Sequence, residues 1–272
     1  MRKMFQIAKK DIKMNLTGIL LYCGIMTLFF FWFASVFDPE LFADLEDFYQ
    51  NFPEAITSLV GGQLSIGDYN SFMNVYLFSF SWMYMGIYFI LKASQDIPTE
   101  IEEKTIEITL SKPIKRWEFV LGKLLRHISV MLFLIGLVMV AVFIAPYVLP
   151  KVAPMDVNYE TLTAAFGYLI FHLLSLLATG FIFSTLFDRK KALAFSFGAL
   201  IFFYALGQFY GLFPEEVRDI KYISIFYYFD TYELLVNASY EDFWINIIIL
   251  SVYSTILIIA SIEIFRRRNI PV

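Results

Sequence analysis

The chain holds one cysteine, Cys23, and two histidines, His127 and His172, among its 272 residues. A lone cysteine excludes a disulfide framework or a cysteine-based metal site within the chain. Two histidines far apart in sequence argue against a metal centre. Charge is missing from six long stretches, Thr17–Phe37, Phe72–Leu91, Ile128–Leu149, Thr161–Phe187, Ala192–Phe213 and Phe243–Ile262, none of which contains Asp, Glu, Lys or Arg. An ion-coupled carrier places ionisable groups at mid-membrane, so this absence weighs against a secondary transporter. An intramembrane enzyme lacks its parts too. No acidic pair lies in these stretches, and Ser65, in Gln63-Leu64-Ser65-Ile66-Gly67, is without the first glycine of a nucleophile elbow. A phosphate-binding loop is also absent. The only Gly-Lys pair is Gly122-Lys123, with Trp117 where the first glycine belongs and Leu124 where Ser or Thr would hold magnesium.

Apolar side chains are what the chain has in excess. Hydrophobic residues make up 59% of it and the mean hydropathy is +0.65, more than a soluble core of this length requires. A bilayer crossing takes about 20 mostly apolar residues. The six uncharged stretches are therefore expected to span a membrane, giving an all-α polytopic protein with a single transmembrane domain. The first stretch exceeds a signal-peptide core and lacks a small-x-small cleavage site, so it is read as a retained span.

Orientation follows from the basic residues. Of the 21 Lys and Arg, all but Lys151, Arg218 and Lys221 fall on one side of this layout. They stand before the first span (Arg2, Lys3, Lys9, Lys10, Lys13), between the second and third, at Arg189-Lys190-Lys191, and at Arg266-Arg267-Arg268. Cytoplasmic flanks retain positive charge, which predicts cytoplasmic termini and extracytoplasmic loops at 38–71 and 214–242. Those outer loops are acidic. The net charge of −4 thus averages two unlike faces and implies no nucleic-acid partner. Asn237-Ala238-Ser239 is an outward sequon to which no role is assigned.

Residues 1–16 set Met1, Met4, Phe5, Ala8, Ile12 and Leu16 on one helical face and Arg2, Lys3, Lys9, Lys10 and Lys13 on the adjacent one. This pattern predicts a helix in the bilayer interface, with Phe5 and Ile12 entering the acyl boundary and Lys9 and Lys10 meeting anionic headgroups.

The loop at 98–123 is dense in charge. Ile97-Pro98 discourages helix, and Thr99 with Glu102 forms a capping-box pattern, predicting a short helix over Glu100–Leu110. Ile101, Thr105, Ile108 and Leu110 would form its apolar stripe, with Glu100 paired to Lys104. Ser111-Lys112-Pro113 would end it. Pro113 would then open the next helix, which leads through Trp117, Val120, Leu121 and Leu124 into the third span, with Lys123 and Arg126 snorkelling to the interface.

This segment resembles the signature of ABC-2 type transporter permeases. There an acidic residue shortly precedes Gly-Thr-Leu-Glu-x-Leu-Leu-Ser-x-Pro-Val-x-Arg, with Gly-Lys further on. The matching positions are Glu103, Thr105, Ile106, Glu107, Leu110, Ser111, Pro113, Ile114, Arg116, Gly122 and Lys123. Lys104 stands where Gly is common, and Thr109 replaces the first paired leucine. Ile223–Asp230 is a weaker echo of the aromatic stretch before the last span of such permeases, where Pro often replaces Ile225. The resemblance implies that the loop carries a coupling helix docking on a separate ABC ATP-binding subunit. Its contact residues would be Glu102, Glu103, Thr105, Glu107, Leu110, Ser111, Pro113, Arg116, Gly122 and Lys123. It further implies that ATP and magnesium sit on that subunit, leaving this chain non-enzymatic and without catalytic, cofactor or metal residues. A second permease subunit, identical or different, would complete an exporter of amphiphilic or hydrophobic cargo in a prokaryotic plasma membrane. The alternative, a scaffold without an ATPase, leaves the charged helix without a purpose.

Three further features fit either packing or cargo. His172 lies near Ser175 and Thr179, Gly207-Gln-Phe-Tyr-Gly211 is a small-xxx-small pattern, and the chain carries 31 Phe and 17 Tyr.

Overall fold

The computed structural model describes residues 2–49, 65–111, 113–148 and 156–268. Met1, the middle of the first outer loop, Lys112, Leu149 and Lys151 lie outside the described residues, as do the side chains of Ile108 and Leu110. The helices are α1 Arg2–Met14, α2 Leu16–Val36, α3 Pro39–Tyr49, α4 Tyr69–Met73, α5 Ile87–Glu102, α6 Thr105–Leu110, α7 Arg116–Val148, α8 Tyr159–Leu186, α9 Arg189–Gln208, α10 Tyr232–Leu235 and α11 Phe243–Arg267. Between α4 and α5 the chain stays coiled through two π-helical stretches, Asn74–Ser79 and Trp82–Gly86. No strand occurs among the described residues. Six helical runs are long and apolar enough to cross a membrane: α2, Tyr69–Glu102, α7, α8, α9 and α11. The protein is an all-α polytopic membrane protein.

The core forms around α8, which packs against α5, α7, α9 and α11. Leu169, Leu173, Leu176, Leu177 and Phe181 of α8 are all buried. At Gly180 the α5 and α8 backbones touch, because a Cβ there would collide with the carbonyl oxygen of Ile90. Hydroxyls buried in this core bond to their own helix, Thr179 Oγ1 donating to the Ser175 carbonyl at 2.8 Å and Ser254 Oγ to that of Leu250 at 2.7 Å. Outward, α2, α9 and α11 expose Leu28, Trp32, Phe202, Ile256 and Ile259. Water does not tolerate apolar faces of that extent, whereas acyl chains do.

Element boundaries depart from the sequence expectation in physically legible ways. The second span begins at Tyr69, its cap Asp68 Oδ1 accepting the Ser71 N–H at 3.0 Å, and continues through Pro98 to Glu102. An interior proline costs about 3 kcal/mol of helix stability. Burial outweighs that here, since Phe89, Ile90, Ala93, Ile97 and Pro98 are packed inside and the Ile97 N–H donates to Ser184 Oγ at 3.2 Å. The capping box at Thr99 is therefore not used, and the short helix starts at Thr105 instead of Glu100. Pro113 lies in the turn before α7 and not at its first position. The Lys115 N–H donates to Glu118 Oε2 at 3.0 Å just ahead of Arg116. The third span thus starts well before Ile128, the sixth extends to Arg267, and the fifth ends at Gln208 ahead of turns at Tyr210–Leu212 and Glu215–Ile223.

Candidate functional site

The segments predicted to share one side of the membrane meet at one end of the bundle. Lys3 Nζ donates to the Pro113 carbonyl. Arg116 Nη1 donates to the carbonyls of Phe265, Arg266 and Arg268 at 3.4, 3.1 and 2.6 Å, closing the C-terminus of α11. Arg268 in turn donates to Thr185 O at 2.9 Å and reaches Phe187 O at 3.4 Å, closing the C-terminus of α8. Unpaired carbonyls give a helix C-terminus partial negative charge, so a guanidinium suits both ends. Asp188 then starts α9 by accepting the Lys191 N–H at 3.0 Å. That bond, followed by the Lys191 side chain, holds its carboxyl below the usual carboxylate range.

Beside these caps lies a buried ionic cluster. Lys123 of α7 is 4% exposed, and its Nζ sits 2.6 Å from Asp11 Oδ2 of α1, bonds Glu100 of α5, and lies 3.9 Å from Asp96 Oδ1. Asp96 also takes Arg126 Nη2 at 3.3 Å and His127 Nε2 at 3.1 Å. An uncompensated buried ion costs several kcal/mol, so each charge here requires its counterpart. Three expectations are corrected. Lys123 does not snorkel, Glu100 pairs with Lys123 and not with Lys104, and His127 is not isolated. The cluster ties α1, α5 and α7 together at one point.

Gly122 brings α1 close to α7, since a Cβ there would lie 2.9 Å from Ile7 Cβ and 3.1 Å from the Met4 carbonyl oxygen. The two-faced reading of α1 becomes three-faced. Ile7, Ala8 and Asp11 turn inward and Ile12 is half-buried, while Phe5, 56% exposed, and Lys9 and Lys10 stay outside.

The loop helix α6 follows a sharp break. Lys104 adopts φ 57°, ψ 15°, the left-handed region that favours glycine, at the position where the resembling permeases commonly carry Gly. The break resets the helical phase. Ile106, 2% exposed, turns inward, whereas Thr105 is exposed, its Oγ1 reaching the Glu100 carbonyl at 3.4 Å. Of the residues singled out from the sequence, Glu102, Glu103, Thr105, Glu107, Ser111 and Pro113 are exposed around α6. Arg116 is half-buried as a cap, and Gly122 and Lys123 are buried in the α1–α7 contact. These nine residues therefore divide into an outward face and an inner brace, the side chain of Leu110 lying outside the described residues.

Asp11 and Asp96 escaped the sequence reading, which gave Glu100 and His127 other roles. A signal for Asp11 existed, because it shares one helical face with Ala8 and Ile12, where an acid is out of place unless paired.

No match was found among curated proteins. A family model described as ABC-2 family transporter protein matches residues 5–270, taking in α1 from Phe5 onward, all six spans and the α6 segment. The chain therefore belongs to the ABC-2 transporter family and is a multi-pass membrane permease component of an ABC transporter.

Proposed function

We propose that this permease is the transmembrane half of an exporter, and that ATP is bound and hydrolysed, with magnesium, on a separate subunit docked against α6. One observation carries this reading. A short helix with three exposed carboxylates, Glu102, Glu103 and Glu107, on and beside it stands at the end of the bundle and is tied to α5, which is in turn bonded to α7. Thr105 reaches back to the Glu100 carbonyl of α5, and the Glu100 side chain is bonded by Lys123 of α7. A push on α6 is thereby delivered to both helices, which is how a nucleotide-dependent partner biases two arrangements of a bundle. The carboxylates call for a basic cleft on the partner. Arg116, Gly122 and Lys123 act in this scheme by holding the helix ends in place, without touching the ATPase. The exposed apolar side chains of α2, α9 and α11 suit acyl chains and a second permease subunit, for which a homodimer is the simplest closure. The cargo is amphiphilic or hydrophobic and leaves the cytoplasm across the plasma membrane.

The sidedness is tested by Lys104→Cys and a membrane-impermeant maleimide. Labelling is expected only after intact cells are permeabilised, and labelling from outside would reverse the topology. The motor assignment is tested by reconstituting the chain in vesicles, where it should move no solute without a nucleotide-hydrolysing subunit. Transport by the chain alone would overturn it.

A further inference from the structure

At the end of the bundle opposite α6, a cavity of about 260 Å³ lies between the π-helical part of the second span, α8, the end of α9 and the aromatic segment before α10. Two sequence patterns left without a role meet on its wall. A Cβ on Gly207 would lie 2.7 Å from Phe226 Cβ and 2.7 Å from Ser224 Oγ, so this glycine admits the 224–227 segment against the end of α9. Gly211 has no such neighbour, so the pair does not form a helix-to-helix seam.

His172 lies in the wall of this cavity and is fully buried. Its ring stacks on Phe229 at 4.2 Å and 11° and meets the edge of Phe226 at 4.9 Å, yet neither ring nitrogen has a hydrogen-bond partner among the described residues. A buried polar group left in that state is costly unless something enters to bond it. A neutral imidazole offers one donor and one acceptor.

Charge decides what enters. Among the described lining residues Asp230 supplies the one carboxylate and His172 the one imidazole, with no Lys or Arg, and the remaining wall is rich in rings, among them Trp82, Tyr204 and Tyr227. The rim already holds an ammonium. Lys221 Nζ sits 4.8 Å from the Tyr210 ring, 4.9 Å from Tyr227 and 5.1 Å from Tyr222, and Tyr210 and Tyr227 also line the cavity. Ring faces attract cations, and three of them around one nitrogen form an aromatic cage.

We propose that this cavity is a binding site for a small organic ammonium ion with an aromatic or apolar body. The body lies among the rings, an ammonium N–H donates to His172, and Asp230 offsets the charge. Lys221 is the resident cation with which the ligand competes for the tyrosine faces. The volume falls just under the roughly 300 Å³ at which drug-sized pockets begin, so the ligand is a compact amine or a cationic head group and not a whole lipid. Neither α6 nor the ATPase takes part, so this site stands or fails independently of the docking reading.

The test is calorimetric titration of the full-length chain in zwitterionic nanodiscs with 2-phenylethylammonium, 2-phenylethanol and phenylacetate. The ammonium should bind saturably, one per chain, at least about tenfold tighter than the alcohol or the carboxylate. His172→Leu should weaken it about tenfold or more. Lys221→Gln, at a half-exposed side chain of the 215–223 turn, should tighten it about two- to fivefold by vacating the cage. Equal affinity for the three probes, or no saturable heat from any, would mean a cavity filled by water and would overturn the proposal. So would an affinity left unchanged by Lys221→Gln.

Discussion

The two ends of the bundle treat buried polarity in opposite ways. At the α6 end, the carboxylates of the buried cluster have opposite charges within 4 Å: Asp11 and Glu100 on Lys123, Asp96 on Arg126. Two arginines there close the carbonyl ends of two helices. At the far end the cavity is walled by rings, and His172 keeps both nitrogens unbonded among the described residues. Mutual pairing fixes helices to one another, which suits the transmission of a push. Unspent hydrogen-bonding capacity inside a cavity suits a ligand that supplies what is missing. The contrast places both kinds of chemistry in one chain whose six uncharged stretches hold no Asp, Glu, Lys or Arg.

The contrast can be broken most decisively at Lys123. Lys123→Met leaves Asp11 and Glu100 without their buried partner and should cost about 3–5 kcal/mol, read as a lowered unfolding temperature of the purified chain. Lys221→Gln, at the half-exposed ammonium of the other end, removes cation–π contacts alone and should cost about 1 kcal/mol. Equal stability of the two variants would erase the distinction. A pair of glycines sharpens it next. Gly122→Ala forces α1 off α7 and should cost about 1–3 kcal/mol, with reduced ATPase retention on purification. Gly207→Ala should instead reduce binding of 2-phenylethylammonium and leave ATPase retention intact, and a reversed pattern would contradict the assignment of the two ends. The smallest effect concerns Asp188. Its carboxyl is held below the usual carboxylate range in the folded chain, so its contribution is present above the unfolded value and is lost as pH falls through the folded one. The stability advantage of wild type over Asp188→Ala should accordingly shrink on acidification, and Asp188→Asn should remove that pH dependence. A pH-independent difference would show that the cap acts through geometry alone.

Six spans and a break in the second-to-third loop were legible because hydropathy and local backbone chemistry are encoded within short windows. The inward face of α6 was not. Pro98 reads locally as a stop, but burial against α8 carries the helix past it, and the break at Lys104 then moves the inward position from Thr105 to Ile106. The ionic cluster was hidden for another reason. Asp11, Asp96 and Lys123 belong to three helices, and only their packing brings them within reach of one another. Of the residues read as one docking group, the exposed acids and the buried Lys123 carry the same sequence signal and differ only in which way the helix turns them.

The most direct measurement is the recovery of the nucleotide-binding subunit with the purified permease when Glu102, Glu103 and Glu107 are all changed to Lys. All three side chains are exposed, so the unfolding temperature should stay within about 2 °C of wild type. The nucleotide-binding subunit should be lost from the complex. Recovery of that subunit at wild-type stoichiometry, with ATP hydrolysis still stimulated by the permease, would contradict α6 as the place where the motor attaches.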